Sequence, residues 1–309
     1  MTVGGVRPRG AFLHARHIEC QFICTPLEFA GRFILMKIVD SDEKAKQEAK
    51  LFFHWICQCL VSLSGSYRLP DGSEHCYTYS GCVVSHGSAR FILTAGHAVS
   101  NLKIAVEKAG VKITGGVLSD FYGIAAAHRE PIPFKILEWP HYFVDNDAGL
   151  DFALIQLPDL LYQKLKANGV IDFPLAVSTR PLAARFQSYI VIGFPEERVD
   201  NKIDPKTPMV CIETEPNGMK LEREQDAANN SNPRFVGRIL DLGDLKSTLG
   251  FSGGPILGFV PKNANSMDVY LIAIQASWDK KERVFGCLID EIYKSSQGWL
   301  QQFCVSDSA

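Results

Sequence analysis

The sequence predicts an all-β protein, built as barrels or a sandwich. Three observations carry that expectation. From about residue 58 the chain is a series of short β-rich runs, among them CYTYSGCVVSHGSARFILTAGHAV, FKILEW, DFALIQL, SYIVIGF, FVGRIL, PILGFV, VYLIAIQAS and RVFGCLI. Clusters of Gly, Pro, Asn and Asp separate these runs, and such residues supply turn geometry. Helical spacing is read at only two places, one near each end of the chain. Many short strands punctuated by turn signals argue for barrels or a sandwich over parallel βαβ units.

Residues 1–40 show no clean period. SDEKAKQEAKLFFHWICQCL, Ser41 to Leu60, reads as a helix. Ser41 can cap its first amides, acids crowd its first turn, and Ala, Lys and Gln propagate it. Its last residues run into CLVSLSG, which is β-rich and competes for a strand. The two runs around His86-Gly87-Ser88 form a hairpin signal. The polar stretch from Glu213 to Arg234, with Asn229, Asn230, Asn232 and Pro233, reads as a surface loop between strands. LIDEIYKSSQGWLQQF carries apolar residues at helical spacing and predicts a closing helix. No internal repeat or low-complexity segment is present.

Composition narrows the function. The chain has 309 residues, 46% hydrophobic and 21% charged, with a formal net charge of -2. That balance belongs to a globular protein and leaves no global footprint for nucleic acid. The most apolar stretches, near Phe33–Met36 and Leu51–Leu63, are too short and too interrupted to span a membrane. Nine cysteines, at 20, 24, 57, 59, 76, 82, 211, 287 and 304, are odd in number, and no apolar signal-peptide core precedes them. They are expected to be reduced thiols in a cytoplasmic protein. Cys57-Gln-Cys59 and Cys20-x3-Cys24 each resemble half a zinc site, but no second pair sits at finger-like spacing, so no metal is expected. Met1 to Ile18 carries Arg7, Arg9 and Arg16 without an acid, a weak resemblance to a transit peptide.

LGFSGGPILG, Leu249 to Gly258, is the most constrained stretch. From average composition, Gly-x-Ser-Gly-Gly-Pro arises by chance in on the order of one window per million. Such a turn suits a nucleophile at Ser252, yet an alcohol attacks a carbonyl at neutral pH only when a base takes its proton. FILTAGHAVS supplies His97, expected on a short helical turn after a strand. An imidazole in that role needs a third group to orient it and stabilise its charged form. Asp151, heading DFALIQL, is the candidate, with Asp145 and Asp147 close by. The seven other histidines default to structural roles.

Thr-Ala-x-His, Asp-x-Ala-Leu and Gly-x-Ser-Gly-Gly-Pro, in that order, resemble the trypsin-like (chymotrypsin-fold) serine peptidases. The likeness covers roughly residues 58–304. It takes in CLVSLSG, TYSGCVVS and RFILTAGHAV as opening strands and VIGFP, Val191 to Pro195, in the form common among bacterial-type members. The resemblance implies two six-stranded antiparallel β-barrels, a trypsin-like double barrel with the site in the cleft between them. An N-terminal extension (1–55, helical near 41–55) would precede a first barrel (56–178) carrying His97 and Asp151. A second barrel (179–309) would carry Ser252 and the C-terminal helix. By the same resemblance His97 is general base and then general acid, Asp151 orients it, and Ser252 forms an acyl-enzyme. The N–H groups of Gly250 and Ser252 form the oxyanion hole. The substrate is a protein or peptide, and no cofactor is required.

The likeness has departures. Secreted members carry an Asp immediately before the serine, which pairs with the amine freed by propeptide cleavage. Here Phe251 stands there, so cleavage of the N-terminus is not expected to activate this chain by that route. The base of the primary specificity pocket lies about six residues before the nucleophile in the family. That points to Lys246, or to Asp244 after a loop shift, with Ala276, Ser277 and Trp278 at the wall. Residues 1–55 are additional to the peptidase domain and are expected to pack on a barrel through Phe22, Ile23, Leu27, Phe29, Phe33 and Ile34, to inhibit, or to dock a regulatory partner. A catalytically silent or latent domain of the same fold, acting as a partner-binding module, is the alternative. A cysteine-nucleophile version would need Cys at 252.

Overall fold

In the computed structural model the described residues are 27–30, 43–120, 132–177, 185–203, 210–225, 231–263 and 266–303. The Ser41 cap, Cys20, Cys24, Cys304, the N-terminal arginines and most of the extension lie outside them.

Two sheets carry the molecule. Strand β1 (Leu27–Ala30) and helix α1 (Glu43–Ile56) come first in the chain. The first sheet then follows from β2 (Leu60–Arg68), β3 (Glu74–His86), β4 (Ala89–Thr94), β5 (Lys112–Ser119), β6 (Ile132–Pro133), β7 (His141–Asp145) and β8 (Asp151–Leu157). Its order is β6-β5-β2-β3-β4-β8-β7, and β9 (Phe173–Pro174) joins β3 in parallel. The β3–β4 hairpin turns at the expected Gly87, in left-handed conformation with φ +58°. Helix α2 (Gly96–Ala109) leaves β4, and α3 (Asp159–Ala167) leaves β8.

The second sheet comprises β10 (Ser188–Gly193), β13 (Asn217–Glu224), β14 (Arg234–Ile239), β15 (Pro255–Asn263), β16 (Ser266–Trp278) and β17 (Arg283–Leu288). The hairpin of β11 (Val199–Ile203) and β12 (Val210–Thr214) branches from it. Its order β16-β15-β10-β13-β14-β17 closes through a β16–β17 pairing into a six-stranded antiparallel barrel, and β1 adds to β16 from outside. Helix α4 (Ile289–Leu300) ends the fold, as its spacing predicts.

The expectation of two closed barrels is therefore corrected: one closes and the other is an open sheet. The first sheet ends on β6, only two residues long and half proline, and on β7, which pairs with β8 alone. Proline has no N–H to extend a ladder, and strands this short form edges. FKILEW is likewise no strand. A 3-10 turn at Ile136–Glu138 occupies it, bracketed by Pro133 and Pro140. The expected loop 213–234 contains an eight-residue strand, β13. Met219 and Leu221 are buried while the alternate polar residues face out, so its polarity marks one face of a strand.

The largest apolar cluster joins the sheets: Phe91, Phe152 and Leu154 from the first, Phe194, Leu257 and Ile274 from the second, with Ile289 and Ile292 of α4. Cys57, Cys59, Cys82 and Cys287 sit buried as free thiols. Burial pushes the thiols of Cys59 and Cys287 up to about 12, which keeps them protonated. Among the described residues no helix is long and apolar enough to cross a membrane.

Candidate active site

Strand β4 ends at Thr94, and two residues later α2 begins. Gly96 permits that entry. A Cβ there would meet the Val144 carbonyl oxygen at 2.1 Å and the Phe152 nitrogen at 2.9 Å, so only glycine lets the helix start press against β7 and β8. His97 consequently lies beside the first residue of β8. Its backbone N–H donates to Asp151 Oδ1 at 2.8 Å, and Nδ1 lies 2.7 Å from Oδ2. An ionised carboxylate only accepts, so Nδ1 carries the proton and Nε2 is left with a lone pair. The 14-residue α2 is longer than the single turn expected, because Ala, Val, Leu, Ile and Lys continue its propensity to a left-handed Gly110 cap.

The register of β7 and β8 sets Asp145 opposite Asp151. Asp145 turns elsewhere, accepting from Ser100 Oγ at 2.6 Å, and Asp147 is exposed in the connecting turn. Burial of His97 disfavours its charged form, but the hydrogen bond and charge of Asp151, with the charge of Asp145, outweigh it. The net shift lifts the imidazole above its ordinary value.

Ser252 sits on the turn that enters β15. Gly250 and Gly253 there have φ of +90° and +86°, a backbone region that other residues adopt only under strain. The turn's peptide groups are bonded almost without exception. The Leu249 carbonyl accepts from Glu196 N–H at 2.8 Å, and the Gly250 carbonyl from Ser80 Oγ at 2.7 Å. Phe251 N–H donates to the Thr248 carbonyl, and the Phe251 carbonyl accepts from Gly254 N–H. The Ser252 carbonyl accepts from Ser80 N–H at 3.2 Å, and Gly253 N–H donates to the Gln275 carbonyl at 2.8 Å. Only the N–H groups of Gly250 and Ser252 have no acceptor among the described residues.

Gly250, Ser252 and His97 line one cavity of about 800 Å³ together with Leu249 and Glu196. The cavity continues between α2 and the β2–β3 pair, along Leu102 and Val106 on one wall and Tyr67, Tyr77 and Tyr79 on the other. No hydrogen bond joins Ser252 Oγ to His97 Nε2. Ser80 and Glu196 were not legible as site residues. Each reaches the turn from more than fifty residues away in sequence; Ser80 lies in the TYSGCVVS run, which marks a strand and gives its serine no role, and Glu196 follows VIGFP.

The expected specificity residues lie apart from this cavity. Lys246 is exposed, and its backbone N–H and that of Ser247 donate to Glu197 Oε1 at 2.8 and 2.9 Å. Asp244 is exposed and paired with Arg198. Ala276 is half-buried and Ser277 exposed at the end of β16, and neither lines the cavity. Among the described residues, no three His, Cys, Asp or Glu side chains converge as a metal site would require.

No protein-family model matches the chain, and no curated protein matches it in sequence. Among solved structures, a crystal structure of Deg5 is similar in part. Its TM-score is 0.43 and its identity 15%, over 82% of this chain and 94% of that one.

Proposed function

We propose that this chain is a serine endopeptidase of the trypsin-like kind, cleaving protein or peptide bonds through His97, Asp151 and Ser252. The observation that carries the reading is the turn at 249–253. Of the N–H groups of residues 249–254, all but two find acceptors among the described residues, and those two belong to the proposed nucleophile and to the glycine two residues before it. An N–H of the nucleophile together with one two residues earlier in sequence is the donor pair that serves as the oxyanion hole in the Ser-His-Asp template.

The chemistry follows from the donors and acceptors present. His97 Nε2 takes the Ser252 hydroxyl proton as Oγ bonds to the scissile carbonyl carbon, whose oxygen takes up the negative charge beside the Gly250 and Ser252 N–H groups. Asp151 stabilises the imidazolium through Nδ1. The C–N bond then breaks, and His97 returns the proton to the leaving amine. Water attacks the acyl-enzyme by the same route, releasing the carboxylate and restoring Ser252. These steps use protein groups alone.

A second reading has its own observation: Ser252 and His97 share no hydrogen bond. A catalytically silent domain that binds a partner would look the same, although such bonds in unliganded enzymes are often long and tighten only with substrate. The two readings separate on incubation with denatured proteins. The peptidase yields new N-termini, read by mass spectrometry, that the Ser252→Ala variant does not. The silent module gives identical peptides for both.

A further inference from the structure

Phe251 leaves open what orders the turn that presents the two N–H donors. Its ring is fully buried in the barrel core with Tyr189, Val191, Phe235 and Ile256, so it anchors the turn from the apolar side and offers no charge. The polar side is held by one residue of the other sheet. Ser80, on β3, is fully buried, meets the turn at two points and binds the neighbouring Phe194 at a third. Its hydroxyl donates to the Gly250 carbonyl at 2.7 Å and accepts from Phe194 N–H at 2.8 Å. Its own N–H donates to the Ser252 carbonyl at 3.2 Å. Both carbonyls flank the nucleophile, and both residues own a free donor.

We infer that the Ser80 hydroxyl is the positioning residue that sets the oxyanion turn, so that docking of the open sheet on the barrel, and no cleavage of the chain, makes the site competent. The inference rests on the reading of Ser252 as a nucleophile, though the ordering of the turn can be measured without it. A peptide plane rotates as a unit. Fixing the Gly250 carbonyl on Ser80 holds the 250–251 plane, which joins the two planes that carry the donors, while the bond from Ser80 N–H to the Ser252 carbonyl holds the far side of the turn. The surroundings are shaped for the contact. A Cβ on Gly193 would come within 2.9 Å of Ser80 Oγ, and one on Gly253 within 2.2 Å of both the Ser80 carbonyl oxygen and Thr94 Oγ1. Thr94 Oγ1 in turn donates to that Ser80 carbonyl at 2.7 Å, which fixes the backbone from which Ser80 reaches. An apolar residue at 80 leaves the Gly250 carbonyl and Phe194 N–H buried with nothing in place of the hydroxyl, and such groups rearrange to find partners.

The experiment compares Ser80→Ala with wild type and with Ser296→Ala, which removes another fully buried hydroxyl, bonded at 2.7 Å to the Ile292 carbonyl within α4 and outside the lining of the cavity. Amide hydrogen exchange of the 249–254 segment and the rate of fluorophosphonate labelling are read on folded protein. The downfield proton shared by His97 and Asp151 reports an intact pair. In Ser80→Ala the segment exchanges faster, that proton persists, and labelling slows at least about tenfold, a lower bound because the loss of a whole oxyanion donor costs about 10²–10³. Ser296→Ala labels within about twofold of wild type. Unchanged exchange of the segment, or wild-type labelling by folded Ser80→Ala, overturns the inference. If wild type takes no label while Ser80→Ala still speeds exchange, the peptidase reading fails and the ordering role stands. Ser80→Cys keeps the volume and a weak donor, and takes the same measurements should the alanine variant fail to fold.

Discussion

Gly250→Ala is the most exacting perturbation of the proposed oxyanion turn. At φ +90° alanine is strained wherever it is placed, at a cost of about 1–3 kcal/mol. Space adds to this. The new Cβ would lie 2.3 Å from the Phe194 carbonyl oxygen and 2.6 Å from Glu196 N, both backbone atoms that have no rotamer to escape into. The turn must therefore move away from residues 194–196, breaking the 2.8 Å bond from Glu196 N–H to the Leu249 carbonyl and carrying the Gly250 donor off its position. Loss of one oxyanion donor lowers kcat about 10²–10³-fold, or about 2.7–4 kcal/mol. The interaction belongs to the transition state, so KM should stay within a few-fold of wild type. Steady-state hydrolysis of an activated ester, with circular dichroism to confirm folding, measures both. A folded Gly250→Ala enzyme retaining a third or more of wild-type kcat would refute the assignment of that donor.

Four further outcomes follow from the same geometry. Asp151→Asn should lower kcat about 10⁴-fold with the fold intact, since the amide no longer selects the Nδ1–H tautomer; pre-steady-state kinetics beside Ser252→Ala checks it. Asp145→Asn should move the acid limb of the kcat/KM profile to lower pH. In the proposed mechanism His97 serves as base only when neutral; the Asp145 charge favours its protonated form, and removing that charge lets neutral imidazole persist in more acid solution; an unmoved limb contradicts the account. Phe251→Ala should cost about 3–5 kcal/mol in urea unfolding, as for other fully buried phenylalanines. Phe251→Asp should cost more, because the carboxylate would be buried against Tyr189, Phe235 and Ile256 without a cation.

Local geometry was readable in the sequence, and contacts between distant segments were not. Residues 252, 97 and 151 stand out because each sits in a short motif whose glycines, alternation or turn residues impose a geometry on their own. Five of the six strands of the closed barrel were readable for the same reason: Tyr189-Ile190-Val191-Ile192 and Val269 to Ile274, for instance, are β-branched and aromatic runs with clear ends. Closure was not. Whether a sheet closes depends on its edges, and the edge at Ile132–Pro133 is decided by two residues and a missing N–H. Strand β13 was hidden by its exposed face, where Lys220 and Glu222 alternate with the buried Met219 and Leu221. Ser80 was hidden most completely. A serine inside an apolar strand has no periodic or spacing signal, and its role exists only because β3 lies against a turn 170 positions further along the chain.

Labelling with a fluorophosphonate, read by intact mass and peptide mapping, tests the central claim most directly. The reagent requires an activated serine and an oxyanion site, and little knowledge of the substrate. The account predicts a single adduct on Ser252, absent from Ser252→Ala and from His97→Ala. Folded wild-type protein that takes no label, or takes it on another residue, contradicts it.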